Sequence, residues 1–270
     1  MYRTLDVRRE GALTWLVLNR PEALNALDAL LVDELRHFFR HLPDDRETRV
    51  VVMRGSGRAF CAGLDLKSPP APETGWGAEA AGRVAPMLRN QRRISEIPLL
   101  MRRAPQPVIA AVHGSACGGG MALALAADLR VAGTSMRMNA AFIRLGLSAC
   151  DIGVSYLLPR LIGASVAAEL LFTGDFIHAE RALALGLVSR VVEDAELDDA
   201  ARDLGARILR HPALALRLTK ECFQHAVDAP SLEAAIAMED RNQVLAARSP
   251  DFREGVRAFL EKRPPRFGDA

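Results

Sequence analysis

Between residues 104 and 127 the chain carries no Asp, Glu, Lys or Arg, and this stretch holds its densest punctuation. It reads Ala-Pro-Gln-Pro, then Val108-Ile-Ala-Ala-Val112, then His113-Gly-Ser-Ala-Cys-Gly-Gly-Gly120, then Met121-Ala-Leu-Ala-Leu-Ala-Ala127. Its length would suit a membrane span. Pro105, Gln106, Pro107, His113 and the glycine run nevertheless break any continuous lipid-facing helix. What remains is an apolar strand, a tight turn and an apolar helix, a unit that must bury itself in a larger core.

Similar units recur along the chain. Leu5–Arg9 and Leu13–Asn19 read as strands joined at Glu10-Gly11, and Asp28–His41 has helical apolar spacing at Leu31, Leu35, Phe38 and Phe39. Arg49–Arg54 and Leu129–Ala132 read as further strands, and Ser155–Leu161 as a helix. Between them lies a proline-rich stretch, Ser68–Pro98, whose first part reads as a loop; residues 83–101 have partly helical character. Beyond Leu197 only helices are expected, near 197–210, 213–227, 231–247 and 251–262, with Pro212, Pro230 and Pro250 at the breaks. The fold class is therefore α/β, divided into a core over 1–195 and a helical tail over 196–270.

Composition closes off other classes. Half of the residues are hydrophobic, so the 270-residue chain can build a real core, and a net charge of +2 gives no reason to expect a nucleic-acid or anionic-membrane partner. Cys61, Cys117, Cys150 and Cys222 form no CxxC pair, so neither a zinc ribbon nor a disulfide framework is indicated, and no metal is expected. The start, MYRTLDVRRE, lacks the apolar stretch of a signal peptide, which points to the cytoplasm. Only Lys67, Lys220 and Lys262 among the 35 basic residues are lysines.

Two glycine-bearing turns are candidates to carry chemistry, the alternative being tight turns that only pack a helix on a sheet. One is Arg54-Gly-Ser-Gly-Arg-Ala-Phe-Cys-Ala-Gly-Leu-Asp-Leu-Lys67; the other is the 113–121 turn that opens a helix. Glycine lets a backbone approach a ligand closely, and the free N–H groups of a helix start favour negative charge. Neither GxxxxGK[ST] nor a GxGxxG after the first strand is present, so phosphate-loop and dinucleotide sites are unsupported.

Leu18-Asn-Arg-Pro-Glu-Ala-Leu-Asn-Ala-Leu27, the AFCAGLDLK and PVIAAVHGSACGGG stretches, and FTGDFIHAERALALGLVSRVV resemble the crotonase superfamily of enoyl-CoA hydratases and isomerases, almost from end to end. The resemblance implies a spiral of ββα units, a C-terminal helical region that trimerises into a homotrimer or a dimer of trimers, and an acyl-CoA substrate. Coenzyme A then arrives as part of the substrate, and no separate cofactor is implied. By motif, the backbone N–H groups of Leu64 and Gly119 form an oxyanion hole for the thioester oxygen. Ala62, Gly63, Asp65 and Gly118 flank those donors, while Lys67 and Lys262 fall where the family places basic residues near the coenzyme A phosphates.

The acid and base positions depart from the hydratase pattern. Where hydratases of the family carry two glutamates, this chain has Ala122 and Phe142. Hydration needs a water activated on one side and a proton delivered on the other, which neither side chain can do. Asp151, in Ser148-Ala-Cys-Asp-Ile-Gly-Val-Ser-Tyr-Leu-Leu-Pro-Arg160, aligns with an active-site aspartate of the dienoyl-CoA isomerase branch. The expectation is a double-bond isomerisation with Asp151 as base. The alternatives are a hydratase with an unplaced acid and a silent acyl-CoA carrier. For Asp151 itself the competing roles are a helix cap over 154–161 or a salt bridge. Arg144 and Ser148 lie beside it as candidate acyl contacts, and His113 reads as a core or turn residue.

Overall fold

The computed structural model describes residues 2–68 and 84–268. Strands β1 (Leu5–Glu10) and β2 (Leu13–Leu18) form a hairpin, and α1 (Ala29–His41) follows with Asp28 as its side-chain cap. Next come β3 (Val50–Gly55), α2 (Val84–Arg103), β4 (Val108–Val112), β5 (Ser115–Cys117) and α3 (Gly119–Ala126). The chain continues through β6 (Leu129–Gly133), β7 (Arg137–Asn139), α4 (Val154–Ile162) and α5 (Ala164–Thr173). After β8 (Ile177–His178), α6 (Ala179–Ala184) and β9 (Arg190–Val192) it ends in α7 (Leu197–Leu209), α8 (Ala213–Ala226), α9 (Leu232–Ala247) and α10 (Pro250–Leu260). Most of the proline-rich loop expected after Ser68 falls on 69–83, outside the described residues.

One sheet runs β1-β2-β3-β4-β6-β9, antiparallel only at β1/β2. Register sets its two faces. Leu16 lies opposite Met53 and Met53 opposite Ala110, and all three face α1, α2 and α3 in the main core. Their neighbours Trp15, Val52 and Ile109 face the other way, against Leu197, Ala200 and Ala201 of α7. Because both faces are covered, these strands read as unbroken apolar runs rather than alternating ones. Helix α7 sits close: a Cβ on Gly205 would come within 2.4 Å of Leu13 Cδ1.

A second, small sheet, β5-β7-β8, has strands of two or three residues, too short to leave a periodic signal in the sequence. The helix expected from Met121 starts two residues earlier, so Gly119 and Gly120 belong to its first turn. Among the described residues no helix is long and apolar enough to cross a membrane.

The tail is tied to the core by Lys220, whose side chain is buried on α8. Its ammonium donates to Met101 O at 3.1 Å and Gln106 O at 2.9 Å, and pairs with Asp128 Oδ2 at 2.7 Å. Asp128 in turn accepts from Val108 N at 2.8 Å, at the start of β4. Three converging acceptors suit the compact, three-donor ammonium better than a planar guanidinium, which explains a lysine here in an arginine-rich chain. Lys220→Met should lower the unfolding free energy by about 3 kcal/mol, since it takes the buried ammonium away from the Asp128 carboxylate and from two carbonyls. Urea denaturation measures this, and Lys220→Arg should restore only part of the loss.

Candidate active site

The two glycine turns lie side by side. Phe60 N donates to His113 O at 2.9 Å, Cys61 N to Ser115 O at 3.1 Å, and Cys117 N back to Cys61 O at 3.0 Å. On its other flank the first turn bridges Leu27, with Leu27 N donating to Gly63 O at 2.7 Å and Asp65 N to Leu27 O at 3.1 Å. In a parallel bridge of this kind the middle residue, Leu64, turns its own N–H and C=O away from Leu27. Gly119 opens α3, so its N–H has no partner within the helix. Among the described residues no acceptor takes either N–H.

Glycine makes this approach possible. Gly63 has φ +94, and a Cβ there would lie 2.7 Å from Cys117 O and 3.5 Å from Gly119 N. A Cβ on Gly120 would lie 2.0 Å from Cys61 O. At the far end of α3, Arg130 closes the helix: its guanidinium is buried and donates to Ala127 O and Leu187 O, both at 2.7 Å. Burial pulls its pKa down to about 10, which still leaves it charged at neutral pH. A cation at the C-terminus and free N–H groups at the N-terminus both follow the α3 dipole.

Asp65 braces the first turn. Arg20 reaches it at 2.8 Å and also pairs with Asp28 at 3.3 Å, while Lys67 N, Ser68 N and Ser68 Oγ donate to the same carboxylate. Burial opposes its charge, but the bonds from Arg20, Lys67 and Ser68 win, and its pKa is lowered.

A cavity of about 530 Å³ opens where the turns meet. Ala62, Gly63, Leu64 and Leu66 come from the first turn, Gly118 and Gly119 from the second, and Gln91 and Ile94 from α2. The far wall is the 3-10 helix Ala141–Leu145 and the loop that follows, bringing Phe142, Arg144, Ser148, Cys150, Asp151 and Ile152. Phe142 is buried and stands 3.4 Å from where a Gly118 Cβ would be. Arg144 is half-exposed and paired with Asp175 at 3.1 Å; Ser148 Oγ accepts from Cys150 N.

Among the described residues, Asp151 is the one carboxylate in this lining. Its Oδ1 accepts from Ile152 N at 2.8 Å and from Gln91 Nε2 at 2.6 Å. Burial raises its pKa, and those two bonds only partly offset the shift. Both competing roles fail. Gly153, at φ +85, occupies the cap position of α4 with no side-chain cap, and among the described residues no cation pairs with Asp151. Ile152 is a β-branched residue at φ +49, a strained conformation that costs roughly 1–2 kcal/mol and is concentrated at functional sites.

The structure therefore gathers Ala62, Gly63, Leu64, Gly118, Gly119, Phe142, Arg144, Ser148 and Asp151 around one cavity. Asp65, Lys67 and Lys262 are not in its lining. Lys67 is exposed on the turn held by Asp65, and Lys262 is exposed just past α10, at φ +53. Ala122 is buried in α3 and is not in the cavity lining. Sequence reasoning missed Gln91 and Ile94, which no motif marks, and Leu27 and Ile152, which lie within the quoted stretches but carry no reactive group to single them out. Cys61 is no nucleophile, since burial pushes its thiol up to about 12, and burial raises Cys117 as well. His113 is a turn residue: burial lowers its pKa, and its Nε2 donates to Gly57 O at 2.8 Å. A larger opening of about 710 Å³ lies among Asp44, Asp45, Arg46, Arg49 and Arg217, away from both turns, and brings together no comparable chemistry. Among the described residues no group of three or more His, Cys, Asp or Glu is placed to hold a metal ion.

A covered parallel sheet, two adjoining glycine turns and an apolar cavity beside them agree with the crotonase-type fold that the sequence motifs resemble. A family model described as enoyl-CoA hydratase/isomerase matches residues 8–270. A Mycobacterium tuberculosis protein named "Probable enoyl-CoA hydratase EchA12" is 41% identical over 94% of this chain and 88% of its own. The 1,2-epoxyphenylacetyl-CoA isomerase of Escherichia coli is 36% identical, covering 96% of this chain and 95% of that one. A crystal structure of an enoyl-CoA hydratase from Bacillus anthracis superposes with a TM-score of 0.90 at 32% identity, over 99% of this chain and 100% of the other. The chain belongs to the enoyl-CoA hydratase/isomerase family.

Gly63→Ala should destabilise the protein by at least about 2 kcal/mol, because both its left-handed φ and a backbone carbonyl stand in the way. Gly119→Ala meets only the movable end of Leu27, 2.7 Å away, and should cost less. Denaturant unfolding of the two variants checks the order.

Proposed function

We propose that the protein binds an acyl-CoA thioester with its carbonyl oxygen between the Leu64 and Gly119 N–H groups and shifts a double bond through an enolate, with Asp151 as the base. The observation that carries this reading is the convergence of two unpaired backbone donors and a single half-buried carboxyl on one apolar cavity. Asp151 takes a proton from carbon. The C–H electron pair becomes a C=C bond, and the thioester π pair moves onto oxygen. Return of the proton to another carbon regenerates the thioester with the double bond displaced. Nothing is oxidised and no water is consumed, so one carboxyl suffices to take and return the proton. Each preorganised donor on the enolate oxygen contributes about 3–4 kcal/mol of transition-state stabilisation. Coenzyme A enters with the substrate, and the reaction needs no further cofactor; Lys67 and Lys262 hold its phosphates.

Relatives include both isomerases and hydratases by name, so the test must separate the two outcomes. Crotonoyl-CoA, a 3-enoyl-CoA and a dienoyl-CoA are followed by absorbance and by deuterium uptake next to the thioester. Isomerisation with exchange is expected. Fast hydration of crotonoyl-CoA would overturn the reading, and binding without exchange would leave a carrier. Asp151→Asn should cut turnover by roughly 10³-fold or more without unfolding the protein. Asp151 acts ionised and its pKa is raised, so kcat/KM should fall as pH drops through a value above the ordinary aspartate range, and should hold level above it.

The tail supports an assembly reading as well. Phe223, Leu232, Val244, Phe259 and Leu260 are all more than half exposed on α8, α9 and α10, an apolar surface that a homotrimer, alone or as a dimer of trimers, would cover. Light scattering after size exclusion should give the mass of three or six chains; a monomer at micromolar concentration would reject it.

A further inference from the structure

We propose that Gln91 of α2 is a positioning residue for Asp151: it holds Oδ1 as a fixed acceptor, so that the substrate proton is exchanged at Oδ2. The inference rests on the reading of Asp151 as the base and adds to the site a residue from a different element. Gln91 Nε2 and Ile152 N both donate to Oδ1, at 2.6 and 2.8 Å. Oδ2 accepts from no group among the described residues and is not sealed from contact. An oxygen that already accepts two N–H groups can take a proton only by giving one of them up. The proton therefore goes to the other oxygen.

The choice of a neutral donor has a chemical reason, visible by contrast within the protein. Asp65 is partnered by the guanidinium of Arg20, and its pKa is lowered against the pull of burial. Asp151 is partnered by an amide, and burial prevails to raise its pKa. A cation would orient the carboxyl equally well but would weaken it as a base. An amide orients it and leaves it basic. Few other charges bear on the pair. Among the described residues, Arg144, engaged with Asp175, and Cys150 are the other titratable groups in the cavity lining. Neither the two glycine turns nor α4 adds one there. On α2 itself, Arg89 and Arg92 are exposed and outside the cavity lining, and Arg93 pairs with Asp33.

The test uses Gln91→Leu, Gln91→Glu and Gln91→Lys in the full-length protein, with thermal melts to confirm folding. Two readouts are taken. One is the pH profile of kcat/KM on whichever acyl-CoA the wild type turns over. The other is a carboxyl carbon NMR titration, with the Asp151 signal identified by its loss in Asp151→Asn. The acid limb and the NMR midpoint should both move to higher pH in the Leu variant, further in the Glu variant, and to lower pH in the Lys variant. At pH values on the limb, the Leu variant should lose kcat/KM several-fold relative to its own plateau. A purely structural glutamine would change plateau heights but would not move the midpoints in opposite directions. Midpoints that coincide with wild type in all three variants would overturn the proposal while leaving Asp151 as the base. Turnover that survives Asp151→Asn would instead overturn the base assignment, and the role of Gln91 with it.

Discussion

Everything in the site depends on one backbone contact, the seam between residues 60–64 and 113–119. Hydrogen bonds run both ways across it, and Gly63 and Gly120 leave no room for a β-carbon on either side. Among the described residues, the seam leaves the N–H groups of Leu64 and Gly119 without acceptors at the edge of an apolar cavity. An unpaired backbone donor in a dry place is normally a liability of about 1–3 kcal/mol. Under the proposed function a thioester oxygen would accept from both groups, so the cost of leaving them unpaired would be offset on binding.

Buried cations hold the elements that carry the seam. Arg130 meets the last carbonyls of α3 from below, and Lys220 gathers carbonyls from the end of α2 and the approach to β4 together with Asp128. Each is charged in a buried position, and each is satisfied by oxygen atoms fixed elsewhere in the fold. The guanidinium fans out over several carbonyls, whereas the ammonium sits at a single point of convergence. The scarcity of lysine in this chain thus has a structural meaning at one of three positions, and Lys67 and Lys262 are exposed.

The large features were legible because they depend on local pattern. Apolar runs such as Val108–Val112 announce covered strands, the 3.6-residue spacing of Leu31, Leu35, Phe38 and Phe39 announces α1, and glycine clusters announce close turns. The motifs that flank Leu64 and Gly119 were equally plain. Asp151 was visible as an isolated acid near the place where two acids are usually needed. Less was legible where elements are short or partners distant. Strands β5, β7 and β8 are too brief to show a period. Gln91 lies 60 residues from Asp151 in a stretch dominated by prolines and arginines.

By itself the sequence determined the fold class, the order of elements, the identity of the two turns and the absence of the paired acids, since all of these are encoded by residue type and spacing. Tertiary structure alone decided that Asp151 is neither a helix cap nor half of an ion pair, that Gln91 is its partner, and that Lys220 is a structural anchor. Those outcomes turn on burial and on which donor stands within 3 Å of an oxygen. Such distances arise only when segments far apart in the chain are packed against one another.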